Sequence, residues 1–101
     1  MSFISHLELS KFSTQLFGAM GASKDDSKIA SDVLISADLR GIDSHGVSRL
    51  VGYVDLWESG RINMSPSIKI IRENKSTCTI DGDSGLGLVV APRAMDIAIE
   101  R

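Results

Sequence analysis

The sequence holds one cysteine in 101 residues, so no internal disulfide can staple it. Cys78 lies in the β-favouring run Thr77-Cys78-Thr79-Ile80, where a buried, inert thiol is the expected role. Positive charge is not in excess: 11 Lys and Arg against 13 Asp and Glu leave a formal net charge of -2. No overall field draws in a phosphate backbone, so no nucleic-acid partner is expected. No apolar run approaches the roughly 18 residues that a membrane span needs. The opening residues, Met1 to Glu8, lack the basic and then apolar order of a secretory leader. No membrane partner is expected, and the cytoplasm is the expected location. Neither an internal repeat nor a low-complexity tract is visible, and no metal-ligating set stands out.

What is present is an ordinary folding composition, 43% hydrophobic and 24% charged. The length suits one domain with a moderate core and is too short for a two-domain enzyme. Ser5-His6-Leu7-Glu8 has the capping-box form, in which a Ser hydroxyl and a Glu carboxylate satisfy the free amides of a helix start. Leu9, Phe12, Leu16 and Phe17 then recur at helical spacing up to Gly21, a residue suited to the left-handed stop. Ser23 is a second cap, followed by Asp25 and Asp26, and Ile29, Ala30, Val33 and Ala37 form the expected buried stripe. Gly41 closes this helix, and Asp43 or Ser44 opens a third that runs to about Ser59 before Gly60.

Beyond Pro66 the pattern changes. Ile68, Ile70 and Ile71, then Thr77 to Ile80, predict two short strands separated by Glu73-Asn74-Lys75. After a turn at Asp81 to Gly85, the residues Leu88, Val89, Met95 and Ile99 predict a last helix, with Pro92 in its first turns or kinking it. The fold class is therefore mixed α/β: a helical part over about residues 1–62, then the start of a β/α part over about 67–101. The last helix reaches Arg101 without a Gly, Asn or Pro stop, which predicts a chain that ends inside a larger fold.

The third helix carries the chemistry. At about 100° per residue, Val47, Leu50, Val51, Val54 and Trp57 fall on one side, and His45, Arg49, Gly52 and Tyr53 on the other. His45 and Arg49 then lie one turn apart. An Arg binds a carboxylate through two parallel hydrogen bonds while a His exchanges a proton with the adjacent oxygen, so the pair suits a 2-oxo or 2-hydroxy acid. Ser44 would hold the substrate oxygen or orient the imidazole. Gly46 and Gly52 would let a ligand or another backbone come close. A carboxylate supplied from elsewhere in a complete active site is expected against His45.

Gly82, Gly85 and Gly87 lie between a strand and a helix, where a dinucleotide-binding turn would be found. Their order is G-x-x-G-x-G rather than G-x-G-x-x-G, and Val90 stands in place of the third glycine. The run reads as a tight turn and helix start, which leaves cofactor-binding residues unassigned.

The stretch Ala37-Asp38-Leu39-Arg40-Gly41-Ile42-Asp43-Ser44-His45-Gly46-Val47-Ser48-Arg49 resembles the signature of the malate/L-lactate dehydrogenase-type family. That family also includes ureidoglycolate, sulfolactate and Δ1-piperideine-2-carboxylate reductases. The likeness continues through Tyr53, Gly60-Arg61-Ile62-Asn63 and Asp81-Gly82-Asp83-Ser84-Gly85-Leu86-Gly87, and covers essentially the whole chain. The resemblance implies an oxidoreductase that transfers a hydride between NADH or NADPH and a small 2-oxo acid. His45 would be the catalytic proton donor, with Ser44 and Arg49 as its relay and substrate contacts. It also implies a homodimer, a non-Rossmann nicotinamide-binding domain absent from residues 1–101, and a relay aspartate well downstream. This chain is then expected to be the N-terminal portion of such an enzyme. The alternatives are a truncated, non-catalytic remnant or a small helical binding module, with a helix-turn-helix DNA reader disfavoured by the charge balance.

Overall fold

The computed structural model describes residues 3–101. Ser5 caps helix α1 (His6–Ala19), its Oγ accepting the Glu8 amide at 3.2 Å. The helix ends at Met20, and Gly21 takes a left-handed φ of 108°. Ser23 caps α2 (Lys24–Leu39) in the same way, with its Oγ 3.1 Å from the Asp26 amide. At the far end of α2, Ile42 N–H bonds to Ala37 O at 2.9 Å and Gly41 N–H to Asp38 O at 3.0 Å. This paired closure needs the left-handed φ of 75° at Gly41, which only a residue without Cβ adopts cheaply.

The two helices pack on one another through small residues. Ser13, Ser27 and Ser31 are fully buried between them, and Thr14 Oγ1 lies 3.0 Å from Ser31 Oγ. The buried row of α2 is accordingly Ser27, Ala30, Ser31, Leu34 and Ile35, not the expected row through Val33 and Ala37. Hydrophobicity alone misplaces the stripe because a serine can sit at a close helix contact that a valine would hold apart. Val33 and Ala37 face a cleft instead.

The third helix is shorter than its spacing predicts. Residues Asp43–His45 and Val47–Arg49 form two separate 3-10 turns, and α3 is confined to Leu50–Glu58. Leu50 is buried in the core with Phe17, Met20, Ala30, Leu34, Met64, Leu86 and Val89, while Val51 is exposed. Tyr53, assigned by spacing to the polar face, packs against this core with its ring tilted 54° to Phe17 at 6.4 Å.

Strands β1 (Lys69–Glu73) and β2 (Cys78–Asp81) form an antiparallel hairpin, with Ile70 opposite Ile80 and an irregularity between Ile70 and Arg72. Cys78 is half-buried in the hairpin rather than buried, because a two-stranded sheet offers it little cover. Helix α4 (Gly87–Glu100) runs through Pro92 and packs on α2, where Arg93 pairs with Asp26. Val89 is buried, but the expected stripe does not continue: Met95 is 61% and Ile99 74% exposed. None of the described helices is long and apolar enough to cross a membrane.

The turn before α4 is held from its own side. Gly85 N–H bonds to Gly82 O at 3.0 Å, and the Asp83 carboxylate accepts Ser67 N–H at 2.8 Å and Asn63 Nδ2 at 3.0 Å. A Cβ on Gly85 would lie 2.8 Å from Pro66 Cγ, and one on Gly82 would lie 2.9 Å from Val90 Cγ1. The glycines thus serve close packing within the chain at a tight turn and helix start.

Candidate active site

The segment from Asp43 to Arg49 is short of regular helix, yet it is tightly cross-linked. Gly46, with φ −96° and ψ −147°, separates the two 3-10 turns. Ser48 Oγ donates to Asp43 O at 2.8 Å, and Arg49 Nε donates to Ser44 O at 2.7 Å, drawing the second turn back over the first. From the end of α2, the Asp38 carboxylate accepts the Val47 amide at 2.9 Å. That carboxylate fills the space beside Gly46, where any Cβ would overlap it. The close approach expected at Gly46 is therefore made by the Asp38 side chain, not by a ligand or another backbone.

His45 and Arg49 both line an open cleft of about 740 Å³, although no continuous helix connects them. Val33 and Ala37 of α2 form one wall, Gly52, Tyr53 and Leu56 of α3 another, and Leu88 of α4 closes part of the floor. Ser44 is not part of the lining. Its Oγ stands 2.8 Å from His45 Nδ1, which commits that ring nitrogen and leaves Nε2 for a ligand. The Arg49 Nε is likewise engaged, so the two terminal guanidinium nitrogens are the pair that remains for a carboxylate.

Two further charged residues line the cleft, Asp55 and Arg61. Spacing could have found the first, since Asp55 follows Gly52 by three residues and so falls on the same helical face. Arg61 follows the helix stop, where periodicity gives no direction. Two arginines against one aspartate favour an anion. Asp38 had no local signal at all, because its partner is nine residues away across a turn. Among the described residues the side-chain partner of the His45 ring is Ser44; the carboxylate expected against it is one supplied from elsewhere in a complete active site.

The family model for malate/L-lactate dehydrogenase matches residues 4–101. The chain belongs to this family. Within it, the malate dehydrogenase of Pyrococcus abyssi is 52% identical over 94 residues, which span 93% of this chain and 26% of that protein. The structure of malate dehydrogenase from Pyrococcus horikoshii superposes with a TM-score of 0.92 at 45% identity, covering 96% of this chain and 28% of the other. The sulfolactate dehydrogenase of Methanocaldococcus jannaschii gives 0.94 at 38% identity, over 98% and 29%. The chain thus spans about a quarter of the length of these dehydrogenases. Its mixed architecture of helices and a two-stranded sheet is that of the matching part of the malate/L-lactate dehydrogenase fold.

A nicotinamide cofactor is implied by this family, and the packing of the glycine-rich turn does not fit the close backbone approach of a dinucleotide-binding loop at Gly82 and Gly85. Pro66 and Val90 fill the space beside Gly85, and Val90 that beside Gly82, whereas Gly87 at the helix start is open.

Proposed function

We propose that this chain is the N-terminal segment of a 2-hydroxy-acid dehydrogenase using NAD or NADP, with Arg49 binding the substrate carboxylate and His45 serving the proton. The observation that carries the reading is the shared cleft, which His45 and Arg49 both line, each with ring or terminal nitrogens left free of the bonds made by Nδ1 and Nε. An end-on carboxylate pairs with the two terminal nitrogens of Arg49. The 2-oxo oxygen, one carbon away, would then be the atom that meets His45 across the same cleft. In the reductive direction the carbonyl carbon gains a hydride and the oxygen gains the His45 proton, giving the 2-hydroxy acid. Oxidation returns that proton to Nε2.

Ser44 contributes by fixing the ring through Nδ1, and Val33, Ala37 and Leu88 supply an apolar wall to the cleft. The hydride would come from a cofactor bound outside residues 3–101, and the relay aspartate would come from the same remainder. The relatives named for malate and for sulfolactate both act on small acids of this class, which supports the same substrate class here. A homodimer belongs to the proposal, supported by the apolar groove of Leu9, Phe12, Leu16, Val51 and Val54 between α1 and α3.

The test joins residues 1–101 to the remainder of the Pyrococcus horikoshii enzyme and assays the product with NADH and NADPH on 2-oxo acids. His45→Ala is expected to cut kcat by roughly 100-fold or more, the usual range for a lost general acid. Arg49→Ala should chiefly raise KM for carboxylate substrates. Unchanged turnover in the His45 variant refutes the assignment.

A further inference from the structure

We infer that Asp38 is a positioning residue for the candidate catalytic pair, holding His45 and Arg49 in fixed relation from the end of α2. The inference rests on the functional reading of His45 and Arg49 just given. Its physical basis is where the Asp38 bond falls. Val47 is the first residue of the second 3-10 turn, so the 2.9 Å bond from its amide to Asp38 pins the joint between the turn carrying His45 and the turn carrying Arg49.

Besides the backbone bonds within each turn, the other side-chain bonds of this segment, Ser44 to His45, Ser48 to Asp43 and Arg49 to Ser44, are all exposed, and water competes for each. The Asp38 bond is part-buried and charge-assisted, so it is the one that best resists that competition. Gly46 is buried against the carboxylate and leaves room for nothing larger. Joint and anchor therefore fit only as a pair.

The location is locally unfavourable, which strengthens the inference. Asp38 sits in the last turn of α2, at the negative end of the helix dipole, with no basic residue in that turn to offset it. Helix stability would favour almost any other residue there. A local rule broken where the side chain reaches across to a functional segment points to a use beyond the helix.

The experiment reads the imidazoles directly. Long-range proton–nitrogen spectra of the labelled chain resolve its two histidines, His45 and His6, the latter at the start of α1 and serving as internal control. In the wild type, His45 is expected to show one dominant tautomer with Nδ1 engaged, distinct from the solvated average of His6. In Asp38→Ala, and separately in Gly46→Ala, the His45 signals should move to that solvated average while His6 stays in place. Asp38→Asn keeps an acceptor for the Val47 amide and should keep the wild-type His45 pattern.

An unchanged His45 in a folded Asp38→Ala or Gly46→Ala chain overturns the inference. If neither of those folds, Asp38→Asn decides: an averaged His45 beside a still-bonded Val47 amide overturns it as well. In the joined enzyme, Asp38→Ala should lower kcat/KM by roughly 10- to 100-fold, the scale of a misplaced catalytic group, and Asp38→Asn should restore most of it. Full activity in Asp38→Ala, where His45→Ala has lost turnover, would overturn the inference too. Failure of the underlying functional reading shows differently, as full turnover in His45→Ala while the His45 signals still move in Asp38→Ala and hold in Asp38→Asn.

Discussion

Replacing Gly46 by alanine places a methyl group where the Asp38 carboxylate now lies. The carboxylate must leave the Val47 amide, which then loses a part-buried, charge-assisted bond. Such a loss costs about 1.5–3 kcal/mol, and Asp38→Ala loses the same bond from the other side. Each single variant is therefore expected to be less stable by about 2 kcal/mol. In the double variant the added methyl group occupies space that the carboxylate has vacated, so the second substitution adds almost nothing. The coupling between the two positions is then about 2 kcal/mol, well above the few tenths expected of independent sites. For a chain of this size 1 kcal/mol moves Tm by roughly 4–8 °C, so each single should melt about 8–16 °C lower, with the double no lower than either. Thermal and urea unfolding of the four chains measures the cycle. Simple additivity, with the double variant falling twice as far, would refute the contact as the reason glycine is required.

Ser27 Oγ is buried without a hydrogen-bond partner among the described residues, beside Gly18 of α1. Ser27→Ala should raise stability by about 1 kcal/mol through a removed desolvation cost and better helix propensity, whereas Ser27→Val should lower it by overpacking the seam. A less stable Ala variant in urea unfolding would mean that the hydroxyl is satisfied. Asp83 and Ser84 hold left-handed φ values of 55° and 57°, but only the Asp83 side chain also ties Asn63 and Ser67. Asp83→Gly should therefore cost about 1–2 kcal/mol while Ser84→Gly is neutral or stabilising, as compared by thermal melts. The hydrogen bond to Asp26 raises the Arg93 pKa most, burial opposes it, and the charges of Asp26, Asp25 and Asp96 add to the rise. A raised pKa gives stability that is complete below the unfolded value and lost as pH climbs through the folded one. The guanidinium side of this pair should accordingly contribute no slope to unfolding free energy between about pH 6 and pH 10; a slope that Arg93→Met abolishes would contradict that.

Local chemistry made much of the architecture legible. Ser5 and Ser23 cap the helices that their position announces, and Gly21, Gly41 and Gly60 stop three helices with left-handed backbones. The hairpin and the turn before α4 follow from β-favouring runs and glycine spacing. What stayed hidden depends on contacts between elements. Spacing cannot reveal that the chain breaks at Gly46 into two 3-10 turns and a shorter α3, with a carboxylate from α2 bonded at the break. Nor can hydrophobicity foretell that Ser27 and Ser31 are buried while Val33 faces a cleft, since that exchange is decided by how closely α1 approaches. His45 and Arg49 do reach one cleft, as their spacing on an ideal helix suggests, but by a route through Gly46 that an ideal helix does not contain.

The walls of that cleft also have an order in time. From Val33 to Arg61 they come from one continuous run of chain, and only Leu88 arrives from beyond the hairpin. Contacts of such short sequence separation demand little loop-closure entropy and form fastest. As the polypeptide leaves the ribosome, α2, the two 3-10 turns and α3 can settle together before the hairpin has been synthesised. The chain that carries His45 and Arg49 can thus take up its local structure early in the life of the molecule, and Leu86, Leu88 and Val89 complete the core and the cleft behind it.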